Sequence, residues 1–161
     1  MRLRYNVKTE LALALMPTIT MIMVLLFLEA FTKQRLLFSS LASSAFLIYL
    51  DPKHQTNQIR TLALAQTSAA LIGFVIFAVI GTGYTAAALS MIIAITVMIV
   101  TKSMHPPAVS TALIFAFRQE ATSNLLLFMF SLALLLILIV LQRLSLWLVR
   151  KAGAPVEDKI E

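Results

Sequence analysis

The chain has 161 residues, 60% of them hydrophobic and 12% charged, with no cysteine and a formal net charge of +6. A soluble domain carries about 45–50% apolar and about 25% charged residues, so an ordinary soluble fold is excluded. The absence of cysteine excludes disulfides, thiolate catalysis and thiolate metal sites. The basic residues stand singly or in pairs at the ends of apolar runs, which excludes a nucleic-acid surface and suits membrane topology.

The N-terminus has the basic start of a signal peptide, but its apolar run is about 20 residues long and carries no small-residue cleavage site, so it reads as an uncleaved first span. Residues 11–31, 61–80, 84–101 and 124–149 form four runs long enough to cross a hydrocarbon core of roughly 30 Å. Between them lie two shorter runs. Residues 36–50 would make about 22 Å of helix and residues 106–117 about 18 Å, lengths that suit half-helices, re-entrant elements or crossings completed by extended chain. The fold class expected is therefore an all-α polytopic membrane protein, a single transmembrane domain over residues 1–161 with a cytoplasmic tail at 151–161.

The two short runs resemble each other. "SSAFLIY" from Ser43 overlays "STALIFA" from Ser110 at an offset of 67 residues. The same offset carries run 61–80 onto the last span and the first span onto 84–101, so residues 10–80 and 82–150 each read long, short, long. Counting charges by the positive-inside rule favours six crossings. With the N-terminus inside, Arg2, Arg4, Lys8, Lys53, Arg60, Lys102, Arg143, Arg150, Lys151 and Lys159 face inward, and only Lys33, Arg35 and Arg118 face outward. Three crossings per half make the halves inverted relative to each other, an architecture of transporters whose sites lie between broken helices.

The polar loop "DPKHQTNQIRTLALAQ" joins the second and third crossings. Asp51 before Pro52 reads as a surface turn. His54 has no evident partner, and two histidines so far apart in sequence do not make a metal site. Gln58 and Arg60 open the third crossing, where Arg60 serves as a topology anchor or as part of an inner mouth. Gln66, Thr67 and Ser68 are candidates for interhelical hydrogen bonds.

"TKSMHPPAVSTALIFAF", residues 101–117, sets Lys102, His105 and a diproline between apolar runs. Pro106 and Pro107 suit only the first turn of a helix, where a missing N–H costs nothing. Ser39, Ser40 or Ser43 would cap the matching short helix. Inverted halves would aim the two short-helix N-termini at one another near mid-membrane, and helix N-termini with free N–H donors attract anions. Ser43, Ser44 and Ala45 with Ala108, Ser110 and Thr111 are the expected substrate-binding turns. Lys102 and His105 would supply positive charge, and His105 could couple protons. Lys102 could equally snorkel to the headgroups, and His105 could simply bond a backbone carbonyl. Gln58, Arg60, Gln66, Pro106 and Pro107 would line the pathway around these turns.

These residues resemble the signature of the HPP family of integral membrane proteins, in which a basic residue precedes His-Pro-Pro-Ala and an Ala-Leu-rich helix follows. "SSLASSAFLIYL" is similar to the family's Gly-Ala-Ser-Ala-type short helix. "NQIRTLALAQTSAALIG" is similar to its Gln-Pro-Arg-Asn segment, with Ile59 and Thr61 replacing Pro and Asn. Gln66 stands where many members carry histidine, and Ser40-Leu41 replaces the usual Phe-Gly. The family is described with four spanning helices, and its plastid and cyanobacterial members have been linked to nitrite transport. The resemblance therefore implies a permease for a small inorganic anion, nitrite first, in a bacterial plasma membrane of cyanobacterial type with both termini cytoplasmic. No His-Glu-x-x-His, Gly-x-Ser-x-Gly or ATPase motif occurs, so neither an enzyme nor a bound cofactor or metal is expected. The partners expected are the anion, membrane lipid and, for so small a bundle, a second copy of the chain, with no nucleic acid.

Overall fold

The structure is a computed structural model that describes residues 35–117 and 124–151, together with ten positions between 8 and 26 that are all helical. The described chain is all helix apart from its connections. Helix α1 is Arg35–Leu50, followed by a 3-10 turn at Gln55–Asn57, α2 at Ile59–Ile80, α3 at Tyr84–Val100, α4 at Ala108–Ala116 and α5 at Asn124–Lys151. The expected first span falls mostly outside the described residues. So do the loop at 118–123 and the tail after Lys151.

Two of the expected long runs, α2 with 22 residues and α5 with 28, reach about 33 and 42 Å and can cross a membrane as helix alone. The expectation of four long helices is corrected here. Helix α3 stops at 17 residues, about 26 Å, and is hardly longer than α1, with 16 residues and about 24 Å. The reason is local. The chain turns sharply after Val100, where Lys102 takes a left-handed φ of +52°.

The helices alternate in direction. At one end of the bundle Gln142 Nε2 donates to Pro52 O (3.3 Å) and His105 Nδ1 meets Thr56 O (3.0 Å). This end therefore holds the α1–α2 loop, the α3–α4 connection and the C-terminal half of α5. At the other end Gly83 N–H donates to Ala116 O (2.9 Å), and the rings of Tyr84 and Phe117 meet at 5.7 Å. The segment from Thr101 to Phe117 thus runs the whole bundle, as extended chain first and as α4 after. It does not turn back to the end from which it came.

Packing follows residue size. Leu41, Ala45 and Ile48 on α1 meet Leu62, Phe115 and Leu138 in one apolar cluster, while Ala65, Ala69, Ala94, Ala108 and Ala112 join α2, α3 and α4 in another. Alanines at these contacts let helix backbones approach closely, the usual device where lipid supplies no hydrophobic drive between helices. At Gly73 the approach is close enough that an added Cβ would meet Ala112 O at 2.5 Å. The outer surface is apolar. Leu64, Leu71 and Val79 on α2 and Leu136, Val140 and Leu144 on α5 are all exposed. Lys151 Nζ lies 5.0 Å over the Trp147 ring, an amphipathic pair of the kind that anchors helices at a membrane surface.

Candidate functional site

The break between α3 and α4 is built by two turns. Thr101 caps α3, Lys102 N–H donates to Ile99 O (3.2 Å), and Ser103 N–H donates to Met98 O (2.9 Å). This is a Schellman stop, whose left-handed position is usually glycine. A lysine occupies it here. The chain then runs extended until Pro107 caps α4. Ala108, Val109 and Ser110 N–H donate to the carbonyls of His105, Pro106 and Pro107 at 2.9, 3.1 and 3.1 Å, and prolines carry no N–H. The start of α4 is therefore left without the free donors expected from the sequence.

The two short helices do not face each other end to end. Ser40 and Ser44 lie one and two turns inside α1, so the serines do not cap it, and α1 packs antiparallel beside α4. Ser40 Oγ donates to Pro107 O (3.0 Å) and lies 2.8 Å from Thr111 Oγ1. Ser40 stands ten residues before the end of α1, about 15 Å along a helix of about 24 Å, so α4 starts near mid-bundle.

Around that start five side chains form one hydrogen-bonded ladder, each at most 1% exposed: Ser40, Ser44, Gln66, His105 and Thr111. Thr111 Oγ1 donates to Gln66 Oε1 (2.6 Å), and Gln66 Nε2 lies 3.5 Å from both Ser40 Oγ and Ser44 Oγ. Ser44 Oγ lies 2.9 Å from His105 Nε2. The carbonyl of Thr56 can only accept, so His105 Nδ1 carries the proton there, and the neutral ring accepts from Ser44 at Nε2. Every polar atom of the ladder has a partner, as burial in low dielectric requires.

Of these, Ser44, His105 and Thr111 are expected from the sequence among the substrate-binding residues and Gln66 in the pathway around them, and the structure brings the four together. Ser40 is expected as a candidate cap and noted in the Ser40-Leu41 departure, and Thr56 is not singled out. Other expected members lie elsewhere. Ser43 is exposed and bonds Ser39 O within its own helix at 3.0 Å. Ala45 is packed in the apolar cluster, Ala108 in the alanine cluster, and Ser110 is half-buried. Gln58 and Arg60 are exposed at the start of α2, Pro106 is exposed and Pro107 buried. Thr67 is exposed, and Ser68 bonds Ala65 O in its own helix. Asp51 makes the expected turn, its Oδ1 accepting Lys53 N–H at 3.0 Å.

Lys102 is exposed and lies apart from the ladder. It lines a cavity of about 500 Å³ with His54, Gln55, Thr56, Thr61, Ile99 and Met104. Thr56 belongs to both places, lining the cavity and holding His105 with its carbonyl. Cavity and ladder are thus joined through one residue. Among the described residues that line it, Lys102 is the only lysine, arginine or carboxylate. Among the described residues Asp51 is the only carboxylate, and no three or more His, Cys, Asp or Glu side chains gather there.

No curated protein and no solved structure gives a significant match to this chain. The model of the HPP transmembrane region matches residues 4–151, which include both the ladder and the cavity. With its apolar outer helices and the histidine–diproline break at the heart of the bundle, the chain belongs to the HPP family and is an integral membrane protein.

Proposed function

We propose that the chain is a permease for a small monovalent anion, nitrite first, passing from the cavity beside Lys102 through the hydroxyl, amide and imidazole ladder at mid-bundle. One observation supports this reading: Thr56 joins the cavity to the ladder at the bundle centre, and among the described residues of the two the only charged side chain is a lysine and none is a carboxylate. A lined pore selects cations with acidic side chains and anions with basic ones. The hydrogen-bond donors for the anion are Ser40, Ser44, Gln66 and Thr111, not the start of α4, whose N–H groups are already engaged. In the closed ladder these side chains serve one another, so passage requires them to turn from each other to the solute. The Ser44–His105 pair is no catalytic dyad in this reading, because a backbone carbonyl, not a carboxylate, orients the ring.

The same reading includes two inverted halves. Ser40 and Pro107, bonded to each other, are separated by 67 residues, the offset of the internal repeat. A two-fold axis through that contact pairs the Ser40–Thr111 approach (2.8 Å) with one between Ser44 and Pro107, and Ser44 bonds His105, two residues before it. The cavity end would be cytoplasmic, with both termini there, in a bacterial plasma membrane; a second copy of the chain would complete the assembly.

Proteoliposome flux of nitrite, nitrate, chloride and formate tests the reading. Nitrite should pass fastest, and Lys102→Met, which keeps the bulk and removes the charge, should weaken half-saturation about tenfold, equivalent to about 1.4 kcal/mol. A second reading rests on the complete pairing of the ladder, which would suit a clasp in a non-transporting scaffold subunit. Liposomes as tight to every anion as empty ones would favour that second reading.

A further inference from the structure

His54 and His105 hold the same residue from opposite sides. On the buried side, Thr56 O accepts from His105 Nδ1. On the exposed side, Thr56 N–H donates to His54 Nδ1 (3.2 Å), and Thr56 Oγ1 lies 2.8 Å from the same nitrogen. A ring nitrogen that accepts from a backbone N–H has its lone pair there, so the Thr56 hydroxyl donates to it as well. Neutral His54 therefore occupies both donors of Thr56, and both residues line the cavity that contains Lys102.

We infer that the cavity is a proton-linked anion site in which His54 controls whether Thr56 can bind the anion. It rests on the anion reading given above. A proton arriving at His54 takes the Nδ1 lone pair, which can then accept from nothing. The Thr56 N–H and hydroxyl lose their acceptor, and the cavity gains two donors and one positive charge together. An anion between Lys102 and protonated His54 takes up those donors, so proton and anion bind as a pair. Thr56 O keeps its bond to His105 throughout, so the ladder remains anchored while the cavity side changes.

The surrounding charges permit this. From the α3–α4 connection, Lys102 is the charged side chain that shares the described lining of the cavity with His54. On the loop of His54 itself, Asp51 uses Oδ1 for Lys53 N–H, and Lys53 is exposed. From α2, Thr61 lines the cavity and Arg60 is exposed; from α1, the titratable side chain near this end is the half-buried Tyr49. Lys102 opposes the proton on His54 until an anion lies between them, which is what links the two binding events.

Calorimetric titration of the purified full-length protein with sodium nitrite, between pH 5.5 and 8.5 and in two buffers of different ionisation heat, provides the test. In the wild type up to one proton should be taken up per nitrite, and wherever uptake is complete the apparent Kd should rise about tenfold per pH unit. His54→Gln keeps an acceptor for Thr56 but cannot take the proton, so both the uptake and the pH slope should vanish. Equal proton uptake in wild type and His54→Gln would overturn the inference while leaving the anion reading intact. No nitrite binding at any pH would overturn both. Without any anion, the Thr56 amide should exchange faster as His54 is protonated, and an amide indifferent to pH from 5.5 to 8.5 would also overturn it.

Discussion

At the scale of single residues, the most informative position is Lys102. A non-glycine residue in the left-handed region costs roughly 1–2 kcal/mol, and Lys102 stands there at φ +52°, where a glycine would be free of that cost. Its charge recovers part of this through the negative end of α3, and the rest is the cost of having an ammonium at the cavity. Comparing Lys102→Gly with Lys102→Ala isolates the backbone contribution, because both lack the charge. The glycine variant should melt about 2–4 °C above the alanine variant for each kcal/mol regained, while both lose anion flux alike. Equal melting of the two would mean that the strain is not there.

At the scale of elements, the short helix α4 is held against α2 by close packing of small residues as well as by the Thr111–Gln66 hydrogen bond. Gly73 leaves room for the Ala112 carbonyl and the Phe115 ring, each 2.5 Å from where a Cβ would be. A methyl there collides with backbone, so α4 must move or α2 must bend. Gly73→Ala should therefore cost about 1–3 kcal/mol, seen as a lower midpoint of thermal unfolding in detergent. It should also disturb the ladder, because Thr111 rides on the displaced helix and Gln66 on α2. The positive-φ glycines Gly81 and Gly83 make a useful contrast. Beyond their chain neighbours no described atom lies within 4 Å of where their Cβ would stand, so alanine there is penalised by backbone conformation alone, by roughly 1–3 kcal/mol.

At the scale of the whole molecule, the alternation of helix direction sets which loops share a side. Lys53 and Lys102 stand at one end of the bundle, and Thr82, between Gly81 and Gly83, stands at the other. The chain has no cysteine, so single cysteines report cleanly. In sealed vesicles, cysteines at 53 and 102 should be labelled by an impermeant maleimide from one side and a cysteine at 82 from the opposite side. Labelling of 53 and 82 from the same side would remove the alternating topology, and with it the inverted halves.

The membrane as solvent, the helix break and several of the polar residues follow from local features of the chain. Long apolar runs leave no choice but membrane-spanning helices, and a diproline after His105 forces a helix to begin there, because both effects are local to the chain. Gln66 was readable as an interhelical hydrogen-bonding residue because a polar side chain within an apolar run must find a partner. Ser44, Thr111 and His105 were singled out for an anion at free helix starts, and the structure gathers them by side-chain bonds instead. What the tertiary structure decided was who partners whom. Whether Ser43 or Ser44 faces inward turns on the helical phase of α1 against α4, and nothing in "ASSA" fixes that phase. Lys102 lies close to His105 in sequence yet outside the ladder, because a Schellman stop swings it to the cavity. His54, without a partner in sequence, meets Thr56 through a 3-10 turn, and Thr56 meets His105 only once α1 and α4 have packed side by side. Such contacts join residues 49 to 71 positions apart, and packing of complementary shapes, not local propensity, brings them together.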